Sequence, residues 1–292
     1  MNFSRRDFVR TAAGGLSLAC LSASEIEAAK TNGVTIGVMT YSYRALTVPP
    51  GTERVDGQIE ALKANNARDI ELFEAELQPP GREDGLEKWR KATELEHFKS
   101  ARKKLEAAGI TTHALTVNYR DVLTDDDLDR TFEQAKALGT NVIAASTQVS
   151  MAKRIAPFAE KHRIYVAFHG HSNTKDPNEF ATPESFDTAL AASKYFRINL
   201  DIGHFSAAGY DPVDYIRKHH DKITHLHLKD RRKNDGPNMP WGEGDTPIKQ
   251  VLLLLKEKKY PLPALVEYEY RGTGTPVEEV GKCLDYMRKA IA

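Results

Sequence analysis

Short apolar runs alternate with amphipathic stretches along almost the whole chain after residue 30. Eight runs, at residues 34–40, 69–73, 110–117, 141–145, 164–169, 197–201, 223–228 and 264–268, carry few polar interruptions. That pattern predicts strands buried on both faces, because a strand with one wet face alternates apolar and polar side chains. Residues 58–66, 97–108, 127–138, 151–161, 183–190, 212–220, 247–258 and 277–291 lie between them and predict helices. The punctuation agrees. Asp211 before Pro212 and Thr246 before Pro247 each place a capping side chain ahead of a proline at the first helical position. Gly109 and Gly139 follow helices as stops.

Eight strand–helix units in one array favour a single (β/α)8 TIM barrel over a doubly wound sheet. No glycine-rich phosphate or dinucleotide fingerprint follows any strand, which removes the main support for a Rossmann fold. The longer connections, 41–57, 74–94 and 229–245, all follow strands, so they fall on the barrel face where substrate-binding loops belong. Trp89 and Trp241 sit in two of them, placed either to stack on a sugar or to fill the loop's own core.

The 292 residues suit one large α/β domain or two small ones. Lysine plus arginine number 41, as do aspartate plus glutamate, so no basic surplus points to nucleic acid. The first thirty residues break the pattern. Ser4-Arg5-Arg6-Asp7-Phe8-Val9-Arg10 resembles a twin-arginine export motif, and the Ala/Gly/Ser-rich stretch after it is too short and too weakly apolar to span a membrane. Residues 1–30 are therefore expected to be a signal peptide, and 31–292 a periplasmic or otherwise exported barrel with no membrane contact in its mature form. Cys20 falls in the removed part, which leaves Cys283 and no disulfide framework. Oligomeric state is left open.

Histidine is placed unusually in this chain. Of ten, six (His113, His169, His171, His204, His225 and His227) lie within or just after predicted strands. Four strands in the C-terminal half each end on a metal-type ligand: His169, Asp201, His227 and Glu267. Their spacing is about one strand–helix unit, so consecutive strands of one barrel would deliver all four to a common centre. Imidazoles and carboxylates converging at strand ends suit an open, catalytic divalent-metal site. Asp201 and His227 are hard to read as structural, because a buried charge or imidazole is costly without partners.

Asp201-x-x-His204, His225-Leu226-His227-x-Lys229-Asp230 and Val266-Glu267-x-Glu269 together resemble the sugar phosphate isomerase/epimerase family, which has a xylose isomerase-like barrel. The resemblance runs from Ile36-Gly37 to the last helix. It implies one divalent ion held from strands 5 to 8 in the order Glu, Asp, His, Glu, which here becomes His169, Asp201, His227 and Glu267, departing at the first. It also implies a small-molecule carbohydrate substrate and isomerase or epimerase chemistry, in which a proton leaves beside a carbonyl through an enediolate stabilised by the metal. A protein exported folded takes its metal in the cytoplasm, where zinc and copper are scarce, so manganese is the first expectation and zinc, cobalt or iron the alternatives.

The departure at residue 169 bears on mechanism. In the family's ketose epimerases two metal-bound glutamates pass a proton between them, whereas a ligated imidazole has no lone pair left to act as a base. A separate base is needed, with Glu269, His171 and Lys229 as catalytic candidates and His204 as a further one. His171 and Glu269 each follow a ligand by two, which aims them the same way if the strands continue. His204, Glu71, His113 and Trp241 are expected at the substrate. Lys229 and Asp230 would pair to orient His227, and His225 reads as a core histidine. Two readings stand beside the isomerase: a lyase cleaving 3-keto-glycosides by β-elimination, and a non-catalytic, metal-dependent carbohydrate-binding protein. A DNA-repair nuclease is disfavoured by neutral charge and the export motif.

Overall fold

The structure, a computed structural model, describes residues 31–78 and 85–292; the expected export segment lies outside them. Eight parallel strands close a barrel: β1 (Ile36–Met39), β2 (Asp69–Phe73), β3 (Thr111–Asn118), β4 (Val142–Ser146), β5 (Tyr165–His169), β6 (Phe196–Asp201), β7 (Ile223–Leu228) and β8 (Ala264–Val266). Each strand pairs with its neighbour in sequence, and β8 closes on β1 with Ile36 opposite Ala264. Every one falls on a predicted apolar run.

Period-two alternation explains both faces of this sheet. Ile70 and Leu72, Ile198 and Leu200, and Leu226 and Leu228 are buried and turn outward under the helices. Glu71, Asn199, Asp201, His225 and His227 occupy the alternate positions and turn inward. The lumen of the C-terminal half is therefore polar while the core lies between sheet and helices.

The helices begin and end where local chemistry allows. In the helix Asp125–Leu138, the Thr124 hydroxyl accepts from the Asp127 N–H, the Asp127 carboxylate accepts from the Thr124 N–H, and Gly139 closes the end at φ 88°. Asp211 caps the helix Pro212–His219 as the sequence predicts. Thr246 does not cap its helix. Pro247 takes the cap position before Ile248–Lys258, and the Thr246 hydroxyl instead accepts from the Arg231 N–H at 3.0 Å.

Three further departures shape the mouth. The connection after β2 contains a helix of its own, Gly85–Ala92, whose Trp89 is buried beside Phe98 with ring centroids 5.9 Å apart, so this tryptophan fills the loop core. A short helix, Ile202–Ala207, springs directly from β6 with Asp201 as its cap. It can lie close to the next strand because residue 203 is glycine: a Cβ there would sit 2.4 Å from Lys229 Cγ and 2.6 Å from the Lys229 carbonyl oxygen. After β7, Asp230–Arg231 and Asn238–Met239 form a small antiparallel ribbon.

Candidate active site

His169 and Asp201 are the last residues of β5 and β6, His227 is the penultimate residue of β7, and Glu267 directly follows β8. The Glu267 N–H still donates to the Leu228 carbonyl at 2.9 Å, which holds it in register one step beyond the strand. One ligand atom from each of the four lies within 4.8 Å of the others, and all four residues are buried. The structure thus brings together the four residues that the spacing picked out.

A chain of contacts fixes the central imidazole. His227 Nδ1 is 3.0 Å from Glu267 Oε2, and its Nε2 is 2.7 Å from Glu71 Oε2. Glu71 also receives the Thr116 hydroxyl and lies 2.5 Å from His225 Nε2. His225 in turn is buried and places Nδ1 2.7 Å from the Thr224 hydroxyl, while its Nε2 meets Glu71 as a charge contact only. Glu71 was expected at the substrate. It is wholly buried beneath His227 instead, with its carboxylate engaged, and orients the imidazole from behind as outer carboxylates do in metal sites.

Electrostatics follow from burial and from these pairs. Burial alone would raise the Glu71 carboxyl, but His227 and His225 hold it well below the usual carboxylate range. Burial would depress His227; Glu71 and Glu267 outweigh it and raise the imidazole to about 10. Asp201 is raised to about 7 by burial, against the pull of Lys229 and with Glu267 adding repulsion. Glu267 is held low by Lys229 and His227 despite its burial. Two carboxylates in one cavity split in this way because both cannot ionise cheaply.

Two atoms of the cluster, His169 Nδ1 and Asp201 Oδ2, are buried without a hydrogen-bond partner. Lys229 Nζ comes within 3.1 Å of Asp201 Oδ2, a charge contact without hydrogen-bond alignment. Sealed polar atoms without partners need an explanation, and two imidazoles with two carboxylates fit a divalent ion.

The candidate bases differ sharply. His171 lies beyond the end of β5, its N–H donating to the Phe180 carbonyl at 2.8 Å. Its ring centroid is 4.9 Å from that of His169, and its Nδ1 is 2.6 Å from Glu179 Oε1. That contact holds the Glu179 carboxyl below its ordinary value. Glu269 Oε2 is tied to Lys229 Nζ at 2.5 Å. Lys229 is buried, which would lower its pKa, but Asp201, Glu267 and Glu269 raise it above the ordinary lysine range; it stays an ammonium and takes no proton. His204 donates its backbone N–H to Asp201 Oδ1 at 2.7 Å, and its ring lies 6.0 Å from that of His169. Burial first, then the Lys229 charge, hold His204 well below its usual value.

Other expected residues lie elsewhere. His113 pairs at 2.7 Å with Asp69, the first residue of β2, at the barrel end opposite the mouth. Trp241 packs edge-on against Tyr286 of the last helix, with centroids 5.8 Å apart. Asp230 does not pair with Lys229. Its carboxylate accepts the N–H groups of Gly242, Gly244 and Thr246 and so holds the loop after β7.

Glu179, Ser172 and Arg231 carry no signal in the sequence. Glu179 and Ser172 lie in the irregular connection after β5, where no spacing rule links them to a site. Arg231 sits in a basic run, and nothing in the sequence says that it is buried while Arg232 and Lys233 are exposed.

A closed (β/α)8 barrel with a His/Asp/His/Glu cluster at its C-terminal mouth defines the class. The chain belongs to the xylose isomerase-like TIM barrel family, whose model matches residues 59–290. Among curated proteins it is 26% identical over 161 residues to the inosose dehydratase of Mesomycoplasma hyopneumoniae, covering 48% of this chain and 52% of that one. It is 29% identical over 119 residues to the L-ribulose-5-phosphate 3-epimerase UlaE of Salmonella paratyphi A, covering 39% and 42%. The matches thus span about half the length of these relatives. Two solved structures share the fold. A sugar phosphate isomerase/epimerase from Parabacteroides distasonis has a TM-score of 0.63 at 18% identity, covering 88% of this chain and 96% of that one. The IOLI protein, solved with a zinc atom, has a TM-score of 0.66 at 15% identity, covering 88% and 98%.

Proposed function

We propose that this chain is a divalent-metal-dependent enzyme of the sugar isomerase/epimerase type, removing a proton beside a carbonyl of a sugar or keto-sugar. The observation that carries this reading is the buried four-residue cluster with two atoms that lack hydrogen-bond partners, set beside the His171–Glu179 charge contact. His169, Asp201, His227 and Glu267 would hold the ion, which when bound supplies Lewis acidity toward a carbonyl oxygen. Manganese leads on the export argument, and the zinc in the IOLI neighbour keeps zinc as the alternative.

The remaining residues supply positioning and proton transfer. His171, whose Nδ1 lies in charge contact with Glu179, is the base that takes the carbon-bound proton. Lys229 keeps one buried positive charge against Asp201, Glu267 and Glu269. The substrate is a small carbohydrate.

A second reading, β-elimination from a keto-sugar, is favoured by a specific feature. Glu269 is tied to Lys229 Nζ, and Asp201, Glu267 and Glu269 favour the ammonium form of Lys229, which leaves His171 beside Glu179 as the favoured base. One base suffices for elimination, whereas epimerisation by two opposed bases does not fit. The likeness to an inosose dehydratase points the same way. Export belongs to the proposal too, on Ser4 to Arg10; N-terminal sequencing of the mature protein checks whether cleavage falls near residue 30.

Solvent exchange in D2O tests the reading. Metal-loaded protein is incubated with free ketoses, aldoses and 3-keto-glucosides and followed by NMR. Deuterium beside a carbonyl, lost in Asp201→Asn and His171→Gln, supports it, and an eliminated aglycone selects the lyase. Metal and sugar binding without any exchange points to the binding protein instead.

A further inference from the structure

Arg231 is buried against the helix Ile202–Ala207, and its hydrogen bonds can be counted completely. Nη1 donates to Ser172 Oγ at 2.7 Å and to His204 Nδ1 at 2.6 Å. Nε and Nη2 donate to the Gly236 carbonyl at 3.1 and 2.6 Å, and Nη2 reaches Asp235 Oδ1 at 3.4 Å. A guanidinium has five N–H groups and no acceptor. All five are spoken for, so Arg231 has none to offer a substrate carboxylate or phosphate, despite being a buried arginine beside the site.

The same count settles His204. An arginine in a protein neither accepts nor gives up a proton, so the ring nitrogen facing it has to be the acceptor. His204 Nδ1 therefore carries the lone pair, and its proton sits on Nε2. Ser172 cannot reverse this: its Oγ is 3.3 Å from His204 Nδ1, while its own proton goes to Asp235 Oδ1 at 2.6 Å. The backbone N–H bonded to Asp201 fixes where the ring starts, and the ring lies 5.2 Å from that of His171. Among the described residues no group accepts from Nε2, and it is not one of the sealed, unpaired atoms.

We infer that Arg231 is a positioning residue that locks His204 as a neutral Nε2–H donor to a substrate oxygen. His204 is then not the base, which leaves that role to His171. The ligand chemistry is an oxygen acceptor, a carbonyl or hydroxyl of the sugar, next to the atom that loses its proton; this part rests on the function proposed above.

The test begins with 15N NMR of the histidine rings in wild-type protein at neutral pH, assigned with a His204→Gln variant. The expected signature for His204 is an unprotonated Nδ1 and a protonated Nε2, shifting toward a tautomer mixture in Arg231→Met and returning in Arg231→Lys. The opposite tautomer, or an imidazolium, overturns the assignment. In the exchange assay, Arg231→Met is expected to lose roughly 10- to 100-fold, as loss of an orienting partner does. Loss of the donor in His204→Ala is expected to cost roughly 100- to 1,000-fold. The amide donor of His204→Gln is expected to recover at least about tenfold over alanine; equal loss in both overturns the donor role. Absence of turnover on every sugar would sink the proposed function, while the tautomer measurement still decides the role of Arg231.

Discussion

Glu71→Gln tests most sharply how the centre is built. The substitution keeps the shape of a wholly buried side chain and removes its charge. Three groups depend on that carboxylate: the Thr116 hydroxyl, His225 Nε2 at 2.5 Å and His227 Nε2 at 2.7 Å. The Glu71–His227 pair is a buried ion pair in the metal-free protein, because His227 is raised to about 10. Removing one member of such a pair costs about 3–5 kcal/mol, since the other is left charged without its partner. In a domain of this size about 1 kcal/mol shifts Tm by roughly 2–4 °C, so the melting point should fall by roughly 6–20 °C. Glu71 also orients His227 from behind, and loss of such a contact lowers metal affinity by about 10- to 100-fold. Calorimetric melting with and without metal, and a metal titration, read the two effects separately. An unchanged metal affinity, whatever happens to Tm, would refute the claim that Glu71 holds the imidazole for a ligand role.

Three more outcomes follow from the same cluster. Lys229→Met should bind a divalent ion more tightly, because the ammonium contacts Asp201 Oδ2 and Glu267 Oε2; it should also lower metal-free stability by about 3–5 kcal/mol, and isothermal titration with melting checks both signs. Metal-free protein should lose stability as pH rises between about 6.5 and 10. The folded His227 pKa lies above its unfolded value, so its contribution is complete below 6.5 and gone above 10; a pH series of Tm in chelator that rises through this window contradicts it. Gly203→Ala places a Cβ 2.4 Å from Lys229 Cγ and should cost about 1–3 kcal/mol by overpacking, read as a lower midpoint in urea.

Much of this molecule is legible in the chain because burial on both faces leaves a simple trace. The strands of a closed parallel sheet are short apolar runs, and all eight were visible. The buried cluster was visible for a related reason: His169, Asp201, His227 and Glu267 end such runs, where a polar residue has no structural excuse. Inward positions deeper in the barrel were not readable in the same way. Glu71 and His225 follow the same alternation as His227, and only the depth of the layer separates a group that touches substrate from one that supports a ligand. The loops were least legible, because their contacts obey no period. The partners of His171 and His204 come from such segments, as Glu179 and Arg231 show. The role of Asp230 turned on three backbone N–H groups more than ten residues away.

If His169, Asp201, His227 and Glu267 form one divalent-metal centre, metal stoichiometry will show it. Purified protein and its Asp201→Asn and His227→Gln variants are stripped with chelator, reloaded with manganese or zinc, and analysed by elemental mass spectrometry with anomalous diffraction. The expected result is one tightly held ion per chain, located among these four side chains, and loss of that ion in both variants that remain folded. An ion bound elsewhere, or retained equally by the folded variants, would contradict it.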